Sequence, residues 1–227
     1  MKLRQVAGLL IAAQMLCAAS ALAQGDYKAE AAGAPASPEL PKALQDALQT
    51  TGVRLVHAQG AAVCALWLRK SIPTRQDAGG SGDVLYKGLA TGTLVGVVEF
   101  PKGGSDFRGQ SIKGGFYTLR YALIPQDGNH MGVSQYRDFL LLGPLAQDKD
   151  IDKQLSLEEV VKLSRQASGT GHPSVLSLGP PAGANSFPAV FKDDQGHWLV
   201  LVKASGKSAG GEQEFPLAIV LVGKAEA

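Results

Sequence analysis

Five side chains between residues 148 and 159 have oxygen atoms at the spacing of a calcium-binding loop. They are Asp148, Asp150, Asp152, Ser156 and Glu159. In a twelve-residue calcium loop these residues would occupy positions 1, 3, 5, 9 and 12, which supply oxygen ligands to the ion. The spacing therefore raises the hypothesis of weak calcium binding.

Two features of the same stretch disagree with a calcium site. Position 6 requires Gly for its sharp turn, but this chain has Lys153 there. Left-handed backbone at a residue with a Cβ costs about 1–2 kcal/mol, roughly tenfold in affinity. Ser156 and Glu159 also have the spacing of a helix capping box. We therefore favour a helix over residues 156–168, ended by Gly169, and expect no metal site.

His130 and Met131 form a second candidate site, because they lie in a turn-rich segment between two predicted strands. Functional residues often lie in such loops. His130 could act in a secreted hydrolase whose site is assembled from loops, and Met131 beside it would suit a soft metal such as copper. Two adjacent residues are too few for a metal site, so packing within the loop is the simpler interpretation. We assign no catalytic residue and expect no cofactor.

Arg137 is a third candidate binding residue. It precedes Asp138 on a predicted strand, so the two side chains point to opposite faces of the sheet. Contact with a ligand is one interpretation of this pair. The simpler interpretation is a partner across the sheet, for which Arg120 is a candidate.

The first 23 residues have the organisation of a secretory signal peptide. Lys2 and Arg4 give it a positive start, an apolar stretch follows, and the Ala-Leu-Ala sequence at 21–23 is a cleavage signal. The apolar stretch is shorter than the roughly 20 residues that span a bilayer. We therefore expect a periplasmic or secreted protein with a flexible leader over residues 24–36 and no transmembrane segment after cleavage.

Cleavage after residue 23 would leave a mature chain that is close to neutral. The 22 basic residues against 20 acidic ones become 20 against 20, because Lys2 and Arg4 are removed. The chain has no cluster of Lys and Arg with interleaved aromatic residues, so a nucleic-acid partner is not expected. Cys64 is then the single cysteine, which excludes an intramolecular disulfide, and its apolar neighbours predict a buried side chain.

Most of the mature chain has the pattern of short strands separated by Gly, Pro and Asp turns. We predict strands at 53–58, 61–69, 84–87, 92–100, 115–124, 136–142, 173–178, 188–192, 197–204 and 215–222. In the fifth of these, Tyr117, Leu119 and Tyr121 alternate with Thr118 and Arg120, which predicts a sheet that is covered on one side only. The last two strands are nearly continuous apolar runs, which are typical of central positions in a sheet.

These elements together predict a mainly β protein. We expect an antiparallel β-sandwich that forms one domain over residues 37–227, with the 156–168 helix inserted into it. A short N-terminal helix is expected from about Pro38 to Gln49, because Ser37-Pro38 is typical of a helix start.

Two longer stretches contain specific sequence motifs. They are GGFYTLRYALIPQDGNHMGVSQYRDFLLL at 114–142 and SRQASGTGHPSVLSL at 164–178. Through the motifs G-x-Y-T-L-R-Y, D-G-x-H-M-G and Y-R-D-F-L-L-L, the chain resembles a group of uncharacterised secreted bacterial β-rich proteins. The resemblance implies an exported β-rich domain and brings no mechanism with it.

The sequence as a whole favours a non-enzymatic accessory or binding domain of the cell envelope. Its partner would be an unknown envelope or extracellular ligand or protein. One alternative is a secreted hydrolase with a loop-assembled site near His130. The other is a weak calcium-binding protein that uses residues 148–159.

Overall fold

The computed structural model describes residues 26–76, 82–127, 134–181 and 186–225. Over these residues the chain is mainly β-structure, which confirms the predicted class. The strands are β1 (Tyr27–Ala32), β2 (Gly52–His57), β3 (Ala62–Leu68), β4 (Ile72–Pro73), β5 (Leu94–Phe100), β6 (Gly104–Ser105), β7 (Ser111–Ile112), β8 (Gly115–Leu123), β9 (Asp138–Pro144), β10 (Val175–Gly179), β11 (Ala189–Lys192), β12 (Trp198–Ser208) and β13 (Gly211–Val222). The helices are α1 (Lys42–Ala47) and α2 (Leu157–Ser168).

The large sheet has 11 strands, of which all but β4 are joined by hydrogen bonds in one path. Its order is β1-β2-β3-β5-β8-β9-β10-β13-β12-β11, with β4 paired in parallel to β12. The sheet curls until its edge strands β1 and β11 are in contact, and Tyr27 packs edge-on against Trp198 with 5.3 Å between ring centroids. The pairing is thus continuous, without the division into two stacked sheets that the predicted sandwich requires.

The inner face of the curled sheet encloses the main apolar core. Alternate residues of each strand point inward. On β8 these are Tyr117, Leu119 and Tyr121, as the alternation predicts, and they share one cluster with Leu142 of β9 and Ile219 of β13. The long apolar strands β12 and β13 lie between β11 and β10, which confirms their predicted central positions.

The outer face of the sheet is covered by helices in two places. Helix α1 buries Leu44 in a cluster with Trp67 and Val97. Helix α2 buries Val160 in a separate cluster with Phe139 of β9. Several strands are therefore buried on both faces, and the predicted one-sided covering of β8 is wrong. No helix in the described part of the chain is long and apolar enough to cross a membrane.

Helix α2 forms where the sequence predicts it. The Ser156 side chain accepts a hydrogen bond from the Glu159 amide at 3.2 Å, and the Ser156 amide donates to the Glu159 carboxylate at 2.8 Å. Gly169 follows the helix with φ of 67°, a left-handed conformation that glycine adopts at little steric cost. Both ends of this helix are therefore determined by its local sequence.

The N-terminal part of the described chain differs from its prediction. Residues 27–32, predicted as flexible leader, form β1, which pairs with β2 along its whole length. Most side chains of β1 are small or charged, so the sequence has no apolar alternation that would predict a strand. As an edge strand, β1 can be held mainly by its main-chain hydrogen bonds. Helix α1 begins only after Pro41, its N-cap. Pro41 disfavours the helical conformation in Leu40, the residue before it. The predicted helix start at Pro38 is therefore wrong.

Residues 84–87 do not form the predicted strand. The amides of Leu85 and Tyr86 donate to the carboxylate of Asp138 at 2.8 and 2.9 Å. These amides are therefore not available to a neighbouring strand. The Asp138 carboxylate accepts the hydrogen bonds that a neighbouring strand would otherwise accept. The apolar pattern of residues 84–87 does not predict such a partner.

Candidate functional site

The acidic segment with the calcium-like spacing wraps around the guanidinium group of Arg120. The Arg120 side chain on β8 is 1% exposed, and the side chain of Asp148 is 5% exposed. Asp148 Oδ2 accepts from Arg120 Nε at 2.6 Å, and Asp148 Oδ1 accepts from Nη2 at 2.7 Å. This two-point pairing is the strongest geometry available to an arginine and a carboxylate.

Main-chain carbonyl groups accept the remaining hydrogens of this guanidinium. Arg120 Nη1 donates to the carbonyls of Gly92 and Lys153, and Nη2 donates to that of Asp150, each at 2.7 Å. All five N–H groups of the arginine therefore have acceptors. We call Arg120, Asp148 and these three carbonyl groups the Arg120 cluster. Gly92 permits the close approach, because a Cβ there would lie 1.8 Å from the carbonyl oxygen of Leu155.

The other acidic groups of the segment have protein cations or amides as partners. Asp152 pairs with Arg69 at 2.9 Å, and Glu159 pairs with Lys153 at 2.9 Å. Asp150 Oδ1 accepts from two amides of the segment itself. The hydrogen bond from Lys153, and then the Ser156 amide, lower the pKa of Glu159 to about 2. The oxygen-rich loop thus surrounds a guanidinium, and the described residues contain no group of three His, Cys, Asp or Glu placed to hold a metal ion.

Asp138 is fully buried, and its carboxylate binds three hydrogen-bond donors at the main core. Its carboxylate accepts from the Leu85 and Tyr86 amides and from the Tyr121 hydroxyl at 2.6 Å. Burial, together with this carboxylate, raises the pKa of Tyr121 far above its usual range. A tyrosine that stays protonated here acts as a hydrogen-bond donor inside the core.

Arg137 points away from Asp138, as the alternation predicts. Its Nε donates to the Ile124 carbonyl at 2.9 Å, and it lies 3.8 Å from the Asp83 carboxylate. Arg120 belongs to its own cluster and does not contact Arg137. The Asp138 carboxylate is likewise bound by other donors, the Leu85 and Tyr86 amides and the Tyr121 hydroxyl. The suggested partnership of this pair with Arg120 is therefore wrong, and contact of Arg137 with a ligand stays a prediction.

His130 and Met131 lie outside the described residues, so the hydrolase and copper hypotheses remain predictions. Among the described histidines, His197 has a carboxylate partner, Asp193, at 3.0 Å from Nδ1. Its Nε2 lies 3.1 Å from the Lys224 carbonyl oxygen. Because both ring nitrogens face acceptors of the protein, His197 fastens the β11–β12 hairpin to the chain after β13. Cys64 is fully buried, and burial raises its pKa to about 12, which keeps the thiol protonated and unreactive.

An apolar pocket of ≈ 550 Å³ lies between α2 and the outer face of the sheet. We call it the α2 pocket. Its floor is formed by Ala122 of β8, Phe139 and Leu141 of β9, and Val175 of β10. These outward-facing side chains are apolar, whereas Thr118 and Arg120 on the same face of β8 are polar. The outer face of β8 therefore changes from the Arg120 cluster to an apolar floor within a few residues.

Helix α2 forms one wall of the pocket with only part of its apolar stripe. Val160, Ser164 and Ala167 are buried against the protein. Leu157 and Val161 stand beside them and are half-buried, because they line the pocket instead. The helix thus has apolar surface that its own fold does not fully cover.

The opposite wall is Phe107, which is held by the buried carboxylate of Asp106. That carboxylate accepts from the amides of Gln110 at 2.7 Å, Arg108 at 3.0 Å and Val175 at 3.2 Å. The Phe107 amide also donates to the Val175 carbonyl at 2.8 Å. These bonds fasten the turn to β10, so this wall has its shape before any ligand arrives.

Hydrogen bonds and close packing also hold helix α2 against the sheet. The Ser164 hydroxyl donates to the Ser174 carbonyl at 2.8 Å and accepts from the Ser174 amide at 2.9 Å. Gly143 of β9 lets the helix approach closely, because a Cβ there would lie 2.8 Å from the Leu163 side chain. The width of the pocket is therefore determined by these contacts and not by packing across the pocket itself.

Three basic side chains stand at the rim of the pocket: Arg108, Arg165 and His172. All three residues are exposed. None of these side chains has an ion-pair or hydrogen-bond partner among the described residues, unlike Arg69, Arg120 and Arg137. We call this group the basic rim.

A larger and more polar cleft of ≈ 720 Å³ lies between the β12–β13 hairpin and residues 85–89. Gln76 and Pro181 are among its lining residues, and the chain passes from each of them directly into residues that the structure does not describe. The α2 pocket is smaller, but its lining divides into apolar walls and a basic rim.

Comparison of the chain with protein-family models, curated proteins and solved structures gave no match. The function is therefore inferred from the side chains themselves. Sequence reasoning did not identify Phe107, Arg108 or Arg165 as site residues. A signal was present on α2, where Leu157, Val161 and Arg165 follow one another at four-residue spacing and so share one side of the helix.

Proposed function

We propose that this protein is an exported, non-enzymatic binding protein of the cell envelope that holds an apolar small molecule in the α2 pocket. The N-terminal sequence supports export. The observation that carries the proposal is an apolar cavity with anchored walls on the outer face of the sheet. Its ≈ 550 Å³ lies within the roughly 300–1,000 Å³ of typical small-molecule sites.

The pocket chemistry favours binding by burial of apolar surface. A ligand that leaves water for this floor and these walls gains about 25 cal/mol for each Å² of apolar surface buried. The walls are held by Asp106, Ser164 and Ser174, so little ordering has to accompany binding. A preformed apolar cavity is the arrangement expected of a carrier or a receptor for such a molecule.

The described lining also favours binding over catalysis. His172 is the one lining side chain there of a type that commonly acts as a general acid or base. The described lining contains no carboxylate, thiol or hydroxyl that could act with it as a nucleophile or an orienting group. Catalysis of the Ser-His-Asp type requires such partners within hydrogen-bond distance.

Binding of a neutral apolar dye tests the proposal. The fluorescence of N-phenyl-1-naphthylamine rises in apolar surroundings, and we expect the mature protein to raise it with a saturable titration. Val161→Trp should fill the pocket and weaken dye binding at least about tenfold, since the lost burial is worth more than 1.4 kcal/mol.

Lys162→Trp is the matched control, because Lys162 is exposed on the same helix and does not line the pocket. It adds the same indole and should leave dye binding unchanged. Circular dichroism would check that both variants are folded. Absence of saturable binding by the wild-type protein, or equal binding by Val161→Trp, would contradict the proposal.

A further inference from the structure

The basic rim lies at one end of the α2 pocket. Arg165 is in the last turn of α2, and His172 follows shortly after the helix ends. The turn that carries Arg108 is tied to the same place, because Gln110 Nε2 donates to the Pro173 carbonyl at 2.9 Å. The Thr170 hydroxyl also donates to Gln110 Oε1. The unpaired basic groups therefore gather around the C-terminal end of α2.

Apolar lining continues from this end along the helix. Leu157, Val161 and Arg165 share one side of α2, and eight residues of helix span about 12 Å. The pocket thus has an apolar length along α2 and a basic end. A ligand that matches this pattern has an extended apolar part and one anionic group at its end.

We propose that the ligand of the α2 pocket is a single-chain anionic amphiphile, a free fatty acid. Its alkyl chain lies along Leu157 and Val161, and its carboxylate lies among Arg108, Arg165 and His172. This inference rests on the proposed function, because it names the ligand of the same pocket. The charge of the rim selects a carboxylate over a neutral or cationic head group.

The two parts of the ligand contribute unequally to binding. Each buried methylene is worth about fourfold in affinity. An ion pair at an exposed arginine is screened by water and is worth about fivefold at most. The chain therefore supplies most of the affinity, whereas the basic rim determines the orientation and the sign of the accepted head group.

Three probes with the same twelve-carbon chain test the inference: laurate, 1-dodecanol and dodecyltrimethylammonium. Each is used below its aggregation concentration and titrated against dye-loaded mature protein. We expect laurate to displace the dye at concentrations about tenfold or more below those of dodecanol, and the cation to be weakest. The preference for laurate should shrink as salt is raised from 20 to 500 mM, since salt screens exposed charges.

The double variant Arg108→Gln/Arg165→Gln should lose about tenfold or more in laurate affinity and keep its dodecanol affinity. Lys162→Gln is the matched control. It removes an exposed positive charge from the same helix outside the pocket lining, and both affinities should stay as in the wild type.

The outcomes separate the inference from the proposed function. Equal affinity for laurate and dodecanol, with both lost in Val161→Trp, would overturn the fatty-acid inference and leave an apolar-ligand protein. An unchanged preference for laurate in the double variant would also overturn it. Failure of all three probes and of the dye would overturn both. Co-sedimentation with phosphatidylglycerol vesicles, without displacement of the dye by laurate, would indicate a membrane surface and overturn the inference.

Discussion

Replacing Arg120 with methionine would show how strongly the Arg120 cluster holds the acidic segment on the sheet. The side chains of Arg120 and Asp148 are 1% and 5% exposed, so the variant leaves a carboxylate buried without its counter-ion. Removal of one partner from a buried ion pair costs about 3–5 kcal/mol. Three carbonyl groups lose their donors as well. Because domains are stable by only about 5–15 kcal/mol, the variant should lose a large share of its stability.

Urea unfolding followed by the fluorescence of Trp67 and Trp198 measures this loss. With a slope of about 2 kcal/mol per molar urea, a loss of about 4 kcal/mol lowers the midpoint by about 2 M. Arg54→Met is the matched control, because Arg54 is exposed on β2. We expect its free energy of unfolding to stay within about 0.5 kcal/mol of the wild type.

The double variant Arg120→Met/Asp148→Leu separates the charge effect from the packing effect. It leaves no unpaired buried ion, so it should be more stable than Arg120→Met alone. The coupling free energy between the two sites should reach about 2 kcal/mol. A loss below about 1 kcal/mol in Arg120→Met, or additive effects of the two substitutions, would refute this account of the cluster.

Three further predictions concern α2 and the core. Glu159→Gln should be less stable than the wild type at pH 7. The difference in stability should shrink as the pH falls below 4.5 and vanish near 2, because a lowered carboxyl pKa stabilises the fold only while the group is ionised. Thermal melts measure it, and a difference in stability that persists at pH 2 would contradict this explanation. Gly143→Val should cost about 1–3 kcal/mol in urea unfolding, because its side chain would overlap Leu163 and Thr118. An unchanged midpoint would show that α2 can move aside. Cys64 should react with a thiol reagent at pH 8 only after denaturant is added, since its pKa is raised to about 12, and rapid labelling of the native protein would show that the site opens.

The fold could be predicted from the sequence where local interactions decide it. The ends of α2 depend on Ser156, Glu159 and Gly169, which lie within a few residues of the groups that they cap. The apolar runs of β12 and β13 likewise predict central strands. Predictions failed where a distant partner decides the conformation. β1 depends on the main chain of β2, and the amides of Leu85 and Tyr86 depend on the carboxylate of Asp138.

The candidate site was less accessible to sequence reasoning. The sequence places Arg137 on a strand, but β9 begins one residue later, at Asp138. The partners of Arg137, Ile124 and Asp83, are not its neighbours along the chain. The basic rim combines Arg108 and Arg165, and strands β8 and β9 lie between them in the sequence. Nothing in the local pattern around Arg108 distinguishes it from a solvated surface residue, whereas Arg165 continues the four-residue spacing of Leu157 and Val161 on α2.

The residues 148–159 show what each level of structure decided. Their spacing alone determined an oxygen-rich loop and a capped helix, because these features depend on neighbouring residues. The alternation of β8 alone determined that Thr118 and Arg120 share a face. Only the tertiary structure brought Arg120 to Asp148, 28 residues away, and made the guanidinium the cation at the centre of the loop. The α2 pocket has the same origin, since a cavity forms from surfaces that meet only after the chain has folded.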